Sequence, residues 1–167
     1  MEHKRAPLFQ VHSSAVLTVD WSSDGQYIRT GTADLETYYW HGVGCKPVQS
    51  PPTCPGLRDV QWVSESCRLS FPVLGVWFGN GNGTGGGAEE VNACSMSHDR
   101  RLLATADGAG TVRLLRYPAS QQKSGAHSYS GHSTHVSGVS FLANDARLVS
   151  IGRKDAAVFQ WSVSKLT

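Results

Sequence analysis

Several features that define large classes of proteins are missing from this sequence. It has no run of 18 apolar residues, so it predicts no membrane-spanning helix, and it has no heptad pattern, so it predicts no coiled coil. Lys and Arg number 15 against 13 Asp and Glu, and no basic block exceeds two residues, so we expect no nucleic-acid surface. The charged residues 1–7 precede no apolar core, so we expect no signal peptide and a cytosolic location.

Cysteine and histidine are too few and too scattered to indicate a metal centre. The four cysteines include no CxxC pair, which a zinc site or a disulfide framework would favour. His132 and His135 lie close together, but no third ligand is near them in the sequence. We therefore expect no metal and no cofactor, and free thiols at all four cysteines. These are Cys45, Cys54, Cys67 and Cys94.

Glycine is concentrated in one place, residues 79–87, which read GNGNGTGGG. A glycine-rich segment can cradle phosphate, but no GK[ST] and no predicted helix follow this one. The pattern therefore indicates a flexible loop, and it disfavours an enzyme or nucleotide binder that uses this loop.

A sequence motif of about 30 residues occurs twice. One copy begins at His12 and the other at His132, 120 residues later. In each copy the His is followed by Val at +4 and +7 and by an aromatic residue at +9, and a later Asp is followed by Trp at +6. The separation is about three times the 40–45-residue period of WD-type propeller blades. The repeat predicts an all-β fold, and Val16, Val19 and Trp21 are predicted to face the core.

The pattern extends to about four blade-like units, two of them degenerate, and each is expected to be an antiparallel four-stranded blade of a partial WD40 β-propeller. The units span about 12–40, 54–77, 91–115 and 131–161, with the glycine loop 79–87 between the second and the third. In the second unit we expect strands at 58–63, 67–71 and 74–77, and we expect a polar linker at 118–127. Because propellers close with about four to eight blades, residues 1–167 are expected to be the C-terminal segment of a larger propeller.

Each regular unit repeats the same set of polar and aromatic residue types. A buried imidazole needs a partner for both nitrogens, which a carboxylate and a hydroxyl can supply, and an indole N–H can close the chain. We therefore predict a structural network that holds three strands in register in each unit. Its members are His12, Thr30, Asp34 and Trp40 in the first unit, and His132, Ser150, Asp155 and Trp161 in the last.

A Ser–His–Asp set also occurs in hydrolase triads. Here it occurs once per repeat, at matching spacing and with a Trp each time, which is typical of a structural element. Ser150 lies in Leu-Val-Ser-Ile-Gly and not in a GxSxG elbow. The sequence therefore predicts no catalytic residues and no enzyme activity.

Several short motifs occur in a recognisable order. They are Asp34-Leu-Glu-Thr-Tyr-Tyr-Trp40, Arg58-Asp-Val-Gln-Trp62, Gly75-Val-Trp77, Gly131-His-Ser-Thr-His-Val136 and Gly152-Arg-Lys-Asp155. Together, over residues 12–161, they resemble the C-terminal WD40 repeats of the echinoderm microtubule-associated protein-like family. The resemblance implies a tandem pair of fused propellers of which this is the C-terminal end. It also implies association with tubulin and microtubules, and a place in the cytoplasmic cytoskeleton.

Two functions remain open on the sequence. The first is a non-catalytic propeller segment that binds tubulin or microtubules through the complete protein. The alternative is a generic WD40 scaffold that binds proteins unrelated to microtubules, because a fold does not fix a function. Basic residues expected in loops are the candidates for contact with a partner. They are Arg100, Arg101, Arg153 and Lys154.

Overall fold

The computed structural model describes residues 11–34, 36–48, 57, 59–67, 70–77, 91–121 and 124–164. Cys54 and the predicted loop at 79–87 lie outside these residues. The chain divides into two compact units, residues 1–69 and 70–167, and each is described by itself below. The regular structure in both is almost entirely antiparallel β-sheet, so the all-β prediction is confirmed.

The first unit contains one three-stranded sheet, the first sheet, in the order β1-β2-β3. Its strands are β1 (Val16–Trp21), β2 (Tyr27–Thr32) and β3 (Thr37–His41). A turn joins β1 to β2, in which Ser22 Oγ donates to Asp24 Oδ1 over 2.6 Å and Gly25 takes a φ of 70°. Pro47 forms an isolated bridge to Trp40.

The second unit contains a four-stranded middle sheet, β4-β5-β6-β7, and a three-stranded last sheet, β8-β9-β10. The strands are β4 (Val91–Met96), β5 (Leu102–Asp107), β6 (Thr111–Arg116), β7 (Ala126–Ser130), β8 (Val136–Phe141), β9 (Arg147–Gly152) and β10 (Val158–Ser162). The linker predicted at 118–127 is too long at its C-terminal end, because β7 begins at Ala126 and pairs with β6. That pairing completes the middle sheet.

The strand predicted at 74–77 is wrong, because the helical turn α1 (Leu74–Trp77) stands there instead. Of the strand predicted at 67–71, residues 68 and 69 lie outside the described residues, and a 3-10 turn (Phe71–Val73) begins at its last residue. Pro72 has no N–H for a ladder, and its carbonyl accepts from Ala119 N–H over 2.7 Å. Of the strand predicted at 58–63, the described residues 59–63 form one bridge, from Trp62 to Ser22. Among the described residues, no helix has the length and apolarity needed to cross a membrane.

The middle sheet is buried on both of its faces. On one face Leu103 packs with Val73 of the 3-10 turn, and on the other Ala104 packs with Val136 of the last sheet. This arrangement follows from the period of two along β5, which sends successive side chains to opposite faces. The core of the second unit is therefore two apolar layers with a sheet between them.

All three sheets share one irregularity in their first strand. The pairing skips one residue in each, at position 17 in β1, position 92 in β4 and position 137 in β8. Each is a β-bulge, in which the extra residue is left without a ladder partner. Because the bulge recurs, residues of the three sheets can be compared position by position.

The prediction that Val16, Val19 and Trp21 face the core is wrong, since all three are exposed. Thr18 and Asp20 point to the buried side instead, where residues 62–67 pack. The outward side of the first sheet is thus exposed along β1, whereas Ile28 and Trp40, which lie in line with Trp21 on the same side, are buried.

Candidate functional site: the repeated polar networks and the basic loops

Four side chains of the last unit are linked in one chain of hydrogen bonds, which we call the His132 network. Trp161 Nε1 donates to Ser150 Oγ over 2.8 Å. Ser150 Oγ lies 2.8 Å from His132 Nε2, and His132 Nδ1 lies 2.8 Å from Asp155 Oδ2. The members come from β9, β10 and the segments before β8 and after β9, so the network spans the last sheet.

One protonation pattern satisfies every member of the His132 network. With its proton on Nδ1, the neutral imidazole donates to Asp155, while Nε2 accepts from the Ser150 hydroxyl. Burial alone would raise the pKa of Asp155. Hydrogen bonds from Ala157 N–H, His132 and Ser133 N–H outweigh that effect, and the pKa of Asp155 is lowered. The carboxylate is therefore held in its charged, accepting form.

The connectivity of the His132 network is that of a catalytic triad, but its setting is not. The Ser150 residue is 0% exposed, and its hydroxyl oxygen already accepts the indole N–H of Trp161. A nucleophile must reach a substrate carbonyl, with donors placed beside the developing oxyanion. Burial of Ser150 denies that access, so this arrangement can order a blade but cannot attack a substrate.

The first unit builds a related but shorter network. Trp40 Nε1 donates to Thr30 Oγ1 over 3.1 Å, and His12 Nε2 lies 2.7 Å from the same oxygen. Asp34 takes its hydrogen bonds from the hydroxyls of Ser13 and Thr32, whereas Asp155 accepts from the histidine. The structure thus links all four predicted residues in the last unit, but only His12, Thr30 and Trp40 in the first. The role of these residues in holding the strands in register stays a prediction.

Sequence reasoning missed a buried ionic cluster in the first unit. Arg29 Nη2 lies 2.7 Å from Asp20 Oδ2 and 2.8 Å from Glu65 Oε2, and all three residues are buried. The guanidinium also stacks 4.2 Å from the centroid of the Trp62 ring, and Asp20 Oδ1 accepts Ser64 N–H over 2.9 Å. The cluster fixes residues 62–67 on the buried side of the first sheet.

The electrostatics of this cluster keep Arg29 charged. Burial would lower the pKa of Arg29, but Glu65 and Asp20 outweigh that effect and the pKa is raised. Burial raises the pKa of the neighbouring Cys67 thiol, an effect that Arg29 partly offsets. A signal existed in the repeat, since Arg29 stands where the other two sheets have Ala104 and Val149. A charged residue at an apolar repeat position requires a buried partner.

The four basic candidates do not form one patch. Arg100 and Arg101 lie in the turn between β4 and β5, beside the 2.8 Å contact of His98 with Asp145 that joins this turn to the one before β9. Arg153 and Lys154 follow the end of β9, a strand of six residues, so about 20 Å separates the two pairs. A single small epitope cannot include all four.

The described residues contain no group of three or more His, Cys, Asp or Glu side chains placed to hold a metal ion. Of the cysteines in that part of the chain, Cys67 and Cys94 are buried thiols and Cys45 is half-buried. They lie in separate parts of the fold, as their scattered positions in the sequence suggested.

Comparisons with known proteins give a consistent set of similarities. The family described as "Echinoderm microtubule-associated protein second beta-propeller" matches residues 2–163. Echinoderm microtubule-associated protein-like 1 of Mus musculus is 41% identical over 152 residues, which is 91% of this chain and 18% of that protein. Echinoderm microtubule-associated protein-like 4 of Homo sapiens is 40% identical over 158 residues, 93% of this chain and 15% of that protein.

These values show that the chain spans less than a fifth of the length of either relative. Among solved structures, the computationally designed Ika4 protein has a TM-score of 0.58 with 17% identity, covering 98% of this chain and 100% of that one. At that identity the likeness concerns the fold alone. With the propeller family that matches, it confirms the prediction of a partial WD40-type β-propeller.

Proposed function

The chain belongs to the echinoderm microtubule-associated protein family, as a segment of its second β-propeller, and on this premise we propose that it is a non-catalytic binding segment of a microtubule-associated protein. The observation that carries the proposal is the 41% identity, which extends over 91% of the chain and so includes the degenerate second unit. The complete protein would contact tubulin or microtubules, in the cytoplasm, and this segment would supply part of the contact surface.

The geometry of the His132 network supports a binding role without catalysis. Its Ser–His–Asp connectivity is buried behind Trp161, and it has a counterpart around Thr30 in the first unit. Repetition of one hydrogen-bonded set in two blades is the behaviour of a structural element. Propellers of this kind present their loops, at the ends of the strands, to other proteins.

Charge supports an acidic partner for the second unit. Residues 70–167 contain nine Lys and Arg against six Asp and Glu. Arg101, Arg153 and Lys154 are exposed in loops, where they can attract an acidic protein surface. We propose that an acidic surface of tubulin binds one of these two sites, either the loop with Arg101 or the loop with Arg153 and Lys154.

The experiment is co-sedimentation of the complete protein with polymerised microtubules and with soluble tubulin. It is run beside the same protein without residues 1–167, with circular dichroism to show that the remainder stays folded. Two double variants test the two ends, Arg100→Glu with Arg101→Glu, and Arg153→Glu with Lys154→Glu. The exposed Arg116→Glu, on β6, is the matched control. We expect the deletion and one double variant to lower binding about ten-fold or more, and the control to leave it unchanged.

A scaffold for a partner unrelated to microtubules is the second candidate function, because the fold alone permits it. Binding that persists after the deletion would contradict a tubulin contact in this segment. Failure of the complete protein to bind either form of tubulin would favour the scaffold.

A further inference from the structure

The turns that join the first two strands of each sheet share one backbone form. In each turn one residue has a positive φ, and its N–H donates to the carbonyl of the residue three positions earlier. These residues are Gly25, with a φ of 70°, and Arg100 and Asp145, each with a φ of 55°. Positive φ favours glycine, so the middle and last sheets each keep a charged residue in a strained conformation. Such strain persists only where surrounding contacts maintain it.

The carboxylate of Asp145 reaches from the turn of the last sheet to the turn of the middle sheet. Asp145 Oδ1 accepts the backbone N–H of His98 over 2.9 Å and lies 2.8 Å from His98 Nδ1. Asp145 Oδ2 accepts the backbone N–H of Asp99 over 2.9 Å. Because an ionised carboxylate can only accept, the imidazole of His98 carries a proton on Nδ1. We call these three contacts the Asp145 clasp.

The Asp145 carboxylate stays charged in this setting. Burial alone would raise the pKa of Asp145, but the N–H groups of His98 and Asp99 and the ring of His98 outweigh that effect, and the pKa is lowered. The side chain of Asp145 is 12% exposed, so water competes little for its oxygens. Hydrogen bonds to a charged acceptor are about twice as strong as those between neutral groups. The clasp therefore restrains the turn of the middle sheet.

The restrained turn, residues 97–101, offers a cation at its surface. Asp99 Oδ1 accepts from the Ser97 hydroxyl over 2.8 Å and from Arg101 N–H over 3.1 Å. Hydrogen bonds from the turn's own donors thus hold the carboxylates of Asp99 and Asp145 toward the turn. Arg101 is exposed, and its guanidinium is a group that can meet an anionic partner.

The Asp145 clasp does not follow the sequence repeat. The histidine networks recur at matching positions in two sheets, as an element of blade structure does. The first sheet has Gly25 at the position of Asp145, and glycine has no side chain that could reach a neighbouring turn. The clasp is therefore explained by the one turn that it orders and not by a requirement of every blade.

We propose that Asp145 is a positioning residue, which holds residues 97–101 so that Arg101 meets a carboxylate of an acidic partner protein. The inference rests on the proposed function, in which that partner is tubulin. It selects the loop with Arg101 over the loop with Arg153 and Lys154. A loop that is ordered before binding loses less conformational entropy on binding, so its affinity is higher. Asp145 acts through Arg101 and need not touch the partner.

The experiment measures the affinity of the complete protein for soluble tubulin, in the wild type and in variants of Asp145. Asp145→Gly removes the carboxylate and suits the positive φ, so the turn of the last sheet should keep its form. Asp145→Asn keeps one accepting oxygen and should retain part of the clasp. We expect Asp145→Gly to raise Kd about 2- to 10-fold, the effect of freeing one ordered side chain. The Kd of Asp145→Asn should lie between those of Asp145→Gly and the wild type.

Ala156→Gly is the matched control. Ala156 also has a positive φ, of 50°, but it lies in the turn after β9, in the same loop as Arg153 and Lys154. Glycine relieves the same kind of strain there without touching the clasp. We expect this variant to bind tubulin like the wild type.

Hydrogen–deuterium exchange of the same proteins, read by mass spectrometry, separates positioning from a general loss of structure. In Asp145→Gly we expect faster exchange at residues 98–99 and unchanged exchange through β8 and β9. Unchanged exchange at residues 98–99, or faster exchange throughout β8 and β9, would overturn the positioning role. An equal Kd for Asp145→Gly and a wild type that binds would also overturn it, and the proposed function would stand. A wild type that does not bind tubulin would overturn the proposed function and, with it, the partner named here.

Discussion

The buried ionic cluster around Arg29 leads to the largest change in stability that we predict. Replacing Arg29 with Met keeps most of the side-chain volume and removes the charge. The carboxylates of Asp20 and Glu65 then stay buried without the guanidinium that both of them contact. We expect the first unit to lose a large part of its stability.

The magnitude follows from the contacts. Arg29 is 1% exposed and makes two charge-assisted hydrogen bonds, of 2.7 and 2.8 Å, as well as the stacking contact with Trp62. Removing one member of such a buried ionic group costs about 3–5 kcal/mol, mostly through the carboxylates left behind. Glu65→Gln should cost less than Arg29→Met, because Arg29 keeps Asp20 as its partner.

Urea unfolding measures this effect, with tryptophan fluorescence as one signal because Trp62 lies against the guanidinium. The exposed Arg116→Met is the control, for which we expect a change within about 0.5 kcal/mol. A loss of less than about 1 kcal/mol for Arg29→Met would refute the reasoning. It would mean that the two carboxylates can be hydrated or protonated in the folded protein with little loss of stability.

Three further predictions concern the His132 network and two turns, one in each unit. Trp161→Phe removes the N–H donor to buried Ser150 and should cost about 1–3 kcal/mol in urea unfolding, and an unchanged midpoint would contradict a role for this bond. Gly25→Ala and Gly110→Ala both place a side chain at positive φ, which costs about 1–2 kcal/mol of stability. Only at Gly110 would the added Cβ also lie 2.5 Å from a carbonyl oxygen. Gly110→Ala should therefore be the more destabilising by thermal melting, and equal losses would argue against the close approach. Because the folded-state pKa of Asp155 is lowered, its stabilising contribution is complete above about pH 4 and is lost as pH falls below that value. Asp155→Asn should flatten the decline in stability between about pH 4 and 2, and a slope equal to that of the wild type would contradict this.

The sequence predicted those parts of the fold that repeat. The spacing from His132 to Trp161 pointed to residues that the structure joins by three successive contacts of 2.8 Å each, because a period of this kind fixes both strand register and turn length. Residues 74–77 were predicted as strand and are helical. There the apolar pattern is too short to separate the two, and Pro72 and the hydrogen bonds to Ala119 decide the outcome.

Burial was harder to predict than secondary structure. The positions of Val19 and Trp21 are core positions in the repeat, yet their exposure depends on whether another sheet packs on them, which a single strand does not encode. The ionic cluster at Arg29 escaped prediction for a similar reason. Glu65 lies 36 residues away in a segment without regular pairing, so no periodicity connects the two.

The bulge shared by the three sheets has a consequence for exchanging blades between related proteins. The extra residue shifts the alternation by one, so Val16 and Val19 lie on the same face although three positions separate them. Deleting Leu17 would restore a plain alternation and leave both valines on that face, whereas inserting one residue between them would turn one of the two toward the ionic side of the sheet. A chimera joined between the histidine and the bulge should leave the two faces of each blade as they are. A junction that adds or removes one residue between the bulge and the following turn should exchange the two faces of that strand. The permitted crossover points in this family are therefore set by one unpaired residue per blade.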